Sequence, residues 1–130
     1  MATNNNVDIR VNCKEIQIGL PEKRETVLGK ITFAEFGFGN DIPFMGLRLG
    51  FSWPKGEVSS GRKYTVNVAA GANWKCWNER NTAISEIIDY IRELLLDADA
   101  KYVSELINKP VEITFCNNRF KDFRILTEVL

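Results

Sequence analysis

The beginning of the chain alternates between apolar and polar residues with the two-residue period of a half-buried β-strand. Alternate positions are apolar over 7–13 and again, in shifted phase, over 16–20, which predicts two strand segments with a bulge or bend near Lys14–Glu15. Residues 1–6 carry no such pattern and are expected to form a flexible tail. The proline and charged residues of 21–25 predict a turn.

Three further strands are predicted in the middle of the chain. Residues 27–38 form the first, and the second covers 45–53, where apolar residues alternate without a break. A third strand is predicted over 64–70. The Gly, Pro, Asn and Asp content of 39–43 and the proline, glycines and serines of 54–61 predict loops between them.

The period then changes to that of an α-helix. Apolar residues between Ile84 and Leu95 recur every three or four positions opposite a charged face, which predicts an amphipathic helix with Asn81 or Thr82 as its N-cap. The preceding residues, 71–81, fit neither period and are predicted to form a loop. A second, shorter helix is predicted from about residue 100 to residue 107.

The C-terminal segment predicts a β-hairpin. Residues 111–115 form its first strand, and Asn117–Asn118 supplies residues that tolerate a positive φ in the turn. On the return strand, Phe120 is out of phase with the apolar residues after it, which predicts a bulge near Lys121–Asp122. With that bulge, three cations point away from the core: Arg119, Lys121 and Arg124.

Strands and helices are segregated along the chain, with no alternation of the βαβ kind. This order predicts an α+β fold, a mainly antiparallel sheet of about six to seven strands with two helices inserted before a C-terminal hairpin. At 130 residues the chain fits one domain over residues 7–130, because two separate cores would each be small. No apolar run is long enough for a membrane span, and no signal peptide is recognisable, so we expect a cytoplasmic protein.

Composition narrows the chemistry. The chain contains no histidine, which removes the commonest general base and metal ligand and excludes catalytic Ser/His/Asp and Cys/His groups within it. We therefore expect neither an enzyme nor a cofactor. The cysteines Cys13, Cys76 and Cys116 are odd in number and widely spaced, which favours reduced thiols over disulfides or a zinc site.

The charges are balanced, with 17 Lys and Arg against 17 Asp and Glu. A protein that binds long nucleic acid normally carries a basic excess, so we do not expect such a partner. Eight phenylalanines, three tryptophans and three tyrosines are many for one modest core. Exposed aromatic patches usually mark interfaces, so we expect a homo-oligomer.

Two groups of residues are candidates for ligand binding. The first is the aromatic segment before the long helix, where indole rings could stack on a base and an arginine near a helix N-terminus could hold a phosphate. Its candidate residues are Trp74, Trp77, Asn78, Arg80 and Asn81. The alternative is structural: one tryptophan fills the core and the other covers a partner subunit.

The second group is the basic face of the hairpin. The planar guanidinium group of arginine can bind two phosphate or carboxylate oxygens at once. Arg119, Lys121 and Arg124 are therefore candidate anion contacts. The alternative is that these cations protect a strand edge from aggregation. The acidic residues of the long helix lack a metal-ligand pattern and are expected to form a solvated face.

The C-terminal part, with INKPVEITF, an asparagine-containing turn and FKDFRILTEVL, resembles small phage and prophage proteins. The architecture is similar to that of the first-described Thoeris anti-defence family, whose members sequester a cyclic ADP-ribose signal. The resemblance covers roughly residues 81–130; Asn108–Lys109 stands where a Gly–Lys would be expected.

The resemblance implies a non-catalytic, oligomeric counter-defence protein that binds a cyclic ADP-ribose-type or small cyclic nucleotide in the host cytoplasm. It implies that Arg119 and Arg124 contact the anionic groups and that Trp74 or Trp77 stacks on the base. The polar edge contacts would come from Asn78, Arg80 and Asn81. Two alternatives are a phage protein that inhibits a host defence nuclease or polymerase by direct binding and a structural or assembly protein of the phage particle.

Overall fold

A single antiparallel sheet forms the frame of the protein. The computed structural model describes residues 22–69 and 77–130. In chain order its elements are β1 (Arg24–Gly37), β2 (Phe44–Trp53), β3 (Gly56–Ser59), β4 (Thr65–Asn67), α1 (Trp77–Ala98), a 3₁₀ turn (Val103–Leu106), β5 (Pro110–Cys116), β6 (Arg119–Ile125) and a second 3₁₀ turn (Thr127–Val129). The described residues therefore form an α+β fold with six strands and one α-helix.

The sheet has the spatial order β3-β2-β1-β5-β6, and β4 also pairs with β2. All described pairings are antiparallel. β1 is the central strand, paired with β2 on one side and β5 on the other. Its alternating apolar residues, and those of its neighbours, point to the face on which α1 lies. The buried core between sheet and helix includes Ile31, Leu47, Leu49, Phe51, Val111, Ile113, Leu94, Ala98 and Leu106.

The C-terminal hairpin is confirmed as predicted. Asn117 and Asn118 both adopt a positive φ in the turn, at 53° and 68°. β5 and β6 shift register so that Phe115 pairs with Phe120 and Thr114 pairs with Asp122. Lys121 is therefore the extra residue of a bulge, which restores Phe123 and Ile125 to the core.

The predicted strand boundaries need correction at three places. β1 begins at Arg24, inside the charged stretch predicted to be a turn, because it pairs with β5 along its first seven residues. β3 lies within the predicted loop of 54–61. Its four residues have little strand pattern of their own, and the exposed edge of β2 supplies the hydrogen-bond partners that hold them. β4 is shorter than predicted.

The helical predictions are also corrected. α1 begins at Trp77, so Asn81 and Thr82 lie inside the helix and neither is its N-cap. α1 ends in a Schellman motif, in which the Ala100 amide donates to the Leu95 carbonyl at 2.9 Å and Asp99 has a φ of 55°.

The second predicted helix is reduced to the 3₁₀ turn at Val103–Leu106. The chain turns immediately after it, where Asn108 has a φ of 73°. The Asn108 amide donates to the Ile31 carbonyl at 2.6 Å, and the Ile31 amide donates to the Lys109 carbonyl at 3.1 Å. Pairing with β1 thus begins before a second helix could form.

Two further predictions concern the ends of the chain and the cysteines. The strands predicted over 7–20 lie outside the described residues, as do Cys13 and Cys76. Cys116 is buried and disulfide-bonded, so the prediction of a reduced thiol is wrong at this position. A disulfide depends on two Cα atoms approaching in space, which wide spacing in a sequence does not reveal.

Candidate functional site

An open apolar cleft of about 280 Å³ lies between the start of α1 and one end of the sheet. The helix is closed onto the sheet at its C-terminal end, where Leu94 and Ala98 are buried. Toward its N-terminal end the same apolar stripe is only half-buried at Ile84 and Ile87. The residues that line the cleft are Phe36, Met45, Val66, Val68, Arg80, Ile84, Ile87 and Ile88.

Among the described residues that line the cleft, Arg80 is the only one with a charged side chain. Its Nη2 donates a hydrogen bond to the Val68 carbonyl at 3.0 Å, which ties the first turn of α1 to the chain after β4. The guanidinium carbon also lies 4.5 Å from the centre of the Trp77 ring, a cation–π contact across one turn of the helix. Within the described part of the chain no carboxylate forms an ion pair with Arg80.

The Nε atom of Arg80 is shielded from solvent and has no hydrogen-bond partner. Leaving a buried donor unsatisfied costs about 1–3 kcal/mol, so the position of this guanidinium opposes stability locally. Arg80 itself lines the cleft. A cation that is held in place without a counter-charge can accept the anionic group of a ligand.

The rim of the cleft is apolar and exposed. Phe36 and Ile88, which line the cleft, are 49% and 54% exposed, and Trp77, which contacts Arg80, is 58% exposed. Phe36 and Ile88 stand on opposite walls, one on the sheet and one on the helix. An open, apolar rim of this kind is characteristic of a surface that another molecule covers.

The loop between β1 and β2, at the same end of the sheet, is held by its own ion pairs. Arg62 donates to both carboxylate oxygens of Asp41, from Nε at 2.7 Å and from Nη2 at 2.9 Å. This bidentate hydrogen bond lowers the pKa of Asp41. Arg62 also lies over the Phe44 ring, and Arg48 donates to the Phe44 carbonyl at 2.8 Å. These two arginines form ion pairs with Asp41, whereas no described carboxylate pairs with Arg80.

The predicted aromatic segment contributes Arg80 to the lining of the cleft, and Trp77 contacts Arg80 without lining the cleft itself. Asn78 and Asn81 are exposed on the first turns of α1 and do not line the cleft. Trp74 lies outside the described residues.

The basic strand, β6, which carries Arg119, Lys121 and Arg124, has a different environment. The Arg124 Nε lies 2.9 Å from a Glu112 oxygen, and its Nη2 lies 2.9 Å from a Glu128 oxygen. These hydrogen bonds raise the pKa of Arg124 and lower that of Glu128. Two carboxylates therefore already occupy this guanidinium. Arg119 is exposed and Lys121 is half-buried at the bulge, and neither forms an ion pair with another described residue.

The two predicted patches lie at opposite ends of the sheet. Arg119 is level with Cys116, which pairs with Arg24 at the start of β1. Phe36, beside the cleft, is near the other end of that strand, so the two ends are separated by about 40 Å at the usual rise of a strand. One copy of the chain therefore does not bring Arg119 and Arg80 to the same ligand.

Several residues of the cleft were not singled out by the sequence. Phe36, Met45, Val66 and Val68 come from three strands and a loop that are distant in sequence and meet only in the sheet. Phe36 gave a weak signal as an aromatic residue beside a glycine-rich loop. The others have the pattern of ordinary core positions.

Comparisons of this chain with protein-family models, curated proteins and solved structures find no match. Across residues 22–69 and 77–130, no three metal-ligating side chains are grouped in a way that could hold a metal ion. Over the same ranges, no helix has both the length and the apolar character required to cross a membrane.

Proposed function

We propose that this protein is a non-catalytic binding protein that captures a small nucleotide signal in the cleft between α1 and the sheet. The signal is of the cyclic ADP-ribose type or is a small cyclic nucleotide, as the resemblance of the C-terminal part to phage counter-defence proteins implies. In this role the protein lowers the free concentration of the signal in the host cytoplasm and releases it unchanged.

One observation carries the proposal: an open apolar cleft contains a single arginine that is not neutralised by a carboxylate of the described chain. Ligand sites are typically concave and mostly apolar, with a few polar groups that fix orientation. A nucleotide has a flat base that contacts apolar side chains and a phosphate that binds a guanidinium. The cleft offers both kinds of contact within one copy of the chain.

The ion pairs of Arg124 change the role that we expect for the basic strand. Because Arg124 is bound by Glu112 and Glu128, an anion would have to displace two carboxylates to reach it. Arg119 and Lys121 contribute only if a second copy of the chain brings its hairpin to the cleft. Arg80 and Trp77 are therefore the residues on which the proposal depends.

The test is calorimetry of the purified protein with cyclic ADP-ribose, followed by denaturation and chromatography of the released ligand. We expect saturable binding and recovery of the intact molecule. Heat-denatured protein serves as the control for non-specific binding. Absence of saturable binding, or recovery of a cleaved product, would contradict the proposal.

The exposed apolar rim supports a second candidate function, direct inhibition of a host defence nuclease or polymerase. A protein partner would cover Phe36, Trp77 and Ile88 together, and aromatic residues are enriched at such interfaces. The two candidates differ in their response to a charge at the rim. If the partner is a protein with an apolar surface, Ile88→Glu and Ile88→Lys should both weaken binding. If the ligand is an anion, Ile88→Glu should weaken binding more than Ile88→Lys.

A further inference from the structure

The composition and size of the cleft restrict which part of a ligand can enter it. Resting on the proposed function, we infer that the cleft holds the base of the ligand and that Arg80 binds one phosphate at its mouth. The minimal ligand is then a nucleoside monophosphate. A larger cyclic signal is recognised through one such unit.

The size of the cleft supports this division. Pockets for drug-sized molecules usually enclose roughly 300–1,000 Å³, and this cleft encloses about 280 Å³. Because the cleft is at the small end of this range, it has room for a base, and the proposal places the sugar and phosphate at its mouth. The open rim at Phe36 and Ile88 keeps the polar edge of the base in contact with water, so the apolar walls bury only its faces.

The charges support the position of the phosphate. Arg80 is the only cation among the lining residues that the structure describes, and it lies in the first turn of a helix of 22 residues. The positive end of the helix dipole adds to its attraction for an anion. The hydrogen bond to Val68 and the contact with Trp77 hold the guanidinium in place, so little side-chain freedom remains to be lost on binding.

A ligand series tests the division of the site. The probes are adenosine 5′-monophosphate, adenosine and ribose 5-phosphate, each titrated into the full-length protein by calorimetry. We expect the monophosphate to bind about tenfold or more tightly than either fragment, because each fragment lacks one of the two contacts. Equal affinity of the monophosphate and ribose 5-phosphate would overturn the placement of the base.

Three variants test the position of the phosphate. Arg80→Gln should weaken binding of the monophosphate by about ten- to hundredfold, because a hydrogen bond to a charged group is lost. At the exposed rim, Ile88→Glu should weaken it more than Ile88→Lys, since both replace the same apolar lining residue with a side chain of similar reach and the two differ in charge. Equal effects of the two Ile88 variants, or unchanged binding in Arg80→Gln, would overturn the inference.

Arg92→Gln is the matched control. Arg92 lies on the same helix, is exposed, and pairs with Glu93 at 2.8 Å away from the cleft. Its replacement should leave binding unchanged, and thermal unfolding checks that each variant is folded. Loss of binding in Arg92→Gln equal to that in Arg80→Gln would show a general charge effect and would count against the site.

The failure of this inference can be separated from the failure of the proposed function. If the monophosphate binds through Arg80 while cyclic ADP-ribose does not bind, the inference stands and the proposed signal is wrong. If cyclic ADP-ribose binds and is released intact but neither Arg80→Gln nor Ile88→Glu affects it, the proposed function stands and this site is wrong.

Discussion

Ser60 gives the most direct test of how the edge of the sheet is held together. On its outer edge, β2 pairs with β4 near its beginning and with β3 near its end. Between these pairings, the Ser60 amide donates to the Leu49 carbonyl at 2.9 Å. The Ser60 hydroxyl in turn accepts a hydrogen bond from the Leu49 amide at 3.0 Å. The Ser60 hydroxyl oxygen thus takes the place of the backbone carbonyl that a continuous neighbouring strand would supply.

Ser60→Ala removes this acceptor and leaves the Leu49 amide without a partner. Leu49 is 1% exposed and Ser60 is 6% exposed, so water cannot readily take the place of the hydroxyl. An unsatisfied buried donor costs about 1–3 kcal/mol of unfolding free energy. With a urea dependence of about 1–3 kcal/mol per molar for a small protein, the unfolding midpoint should fall by roughly 1 M.

The assay is urea unfolding followed by tryptophan fluorescence, with Ser59→Ala as the matched control. The Ser59 hydroxyl accepts a hydrogen bond from the Gly61 amide at 3.3 Å, but this site is exposed. Surface substitutions usually change stability by no more than about 0.5 kcal/mol. If Ser60→Ala and Ser59→Ala shift the midpoint equally, the argument from burial is refuted.

Three further predictions follow from the described residues. Gly46→Ala should reduce the yield of folded protein, because its Cβ would collide with the Tyr64 carbonyl oxygen; normal expression and an unchanged melting temperature would contradict this. Arg62 lowers the pKa of Asp41 in the folded protein. Their ion pair therefore stabilises the fold above the pKa of about 3.9 that Asp41 has in the unfolded chain, and this stabilisation is lost as the pH falls through the lower pKa of the folded state. Arg62→Gln should therefore lose less stability than the wild type in urea unfolding between about pH 5 and pH 2, and parallel curves would count against it. The aromatic content predicts a homo-oligomer at micromolar concentration, and light scattering that gives the mass of one chain would show otherwise.

Local pattern in the sequence determined the elements whose signals are short-range. The alternation over 45–53 marks β2, the apolar stripe from Ile84 to Leu95 marks most of α1, and Asn117–Asn118 marks the turn of the hairpin. The phase of Phe120 located the bulge at Lys121. Each of these features depends on neighbours within a few residues, so the sequence is sufficient to predict it.

Tertiary contacts decided the elements that lack a local pattern. β3 exists because the edge of β2 offers hydrogen-bond partners, and the second helix is shortened because Asn108 and Lys109 bind Ile31 of β1. α1 begins at Trp77, and Arg80 in its first turn donates a hydrogen bond to the Val68 carbonyl. Strand pairing and helix docking supply these interactions from distant parts of the chain, and they override weak local preferences.

The same distinction applies to the candidate site. The sequence offers arginines as candidate anion contacts, but their availability depends on what lies opposite each one in the fold. The register of β5 and β6 places Glu112 beside Arg124, and the turn after β6 adds Glu128, so this cation is neutralised. Arg80 faces an apolar cleft because α1 closes on the sheet only at its C-terminal end. Attraction between charges depends on their separation in space, and only the folded chain sets that separation.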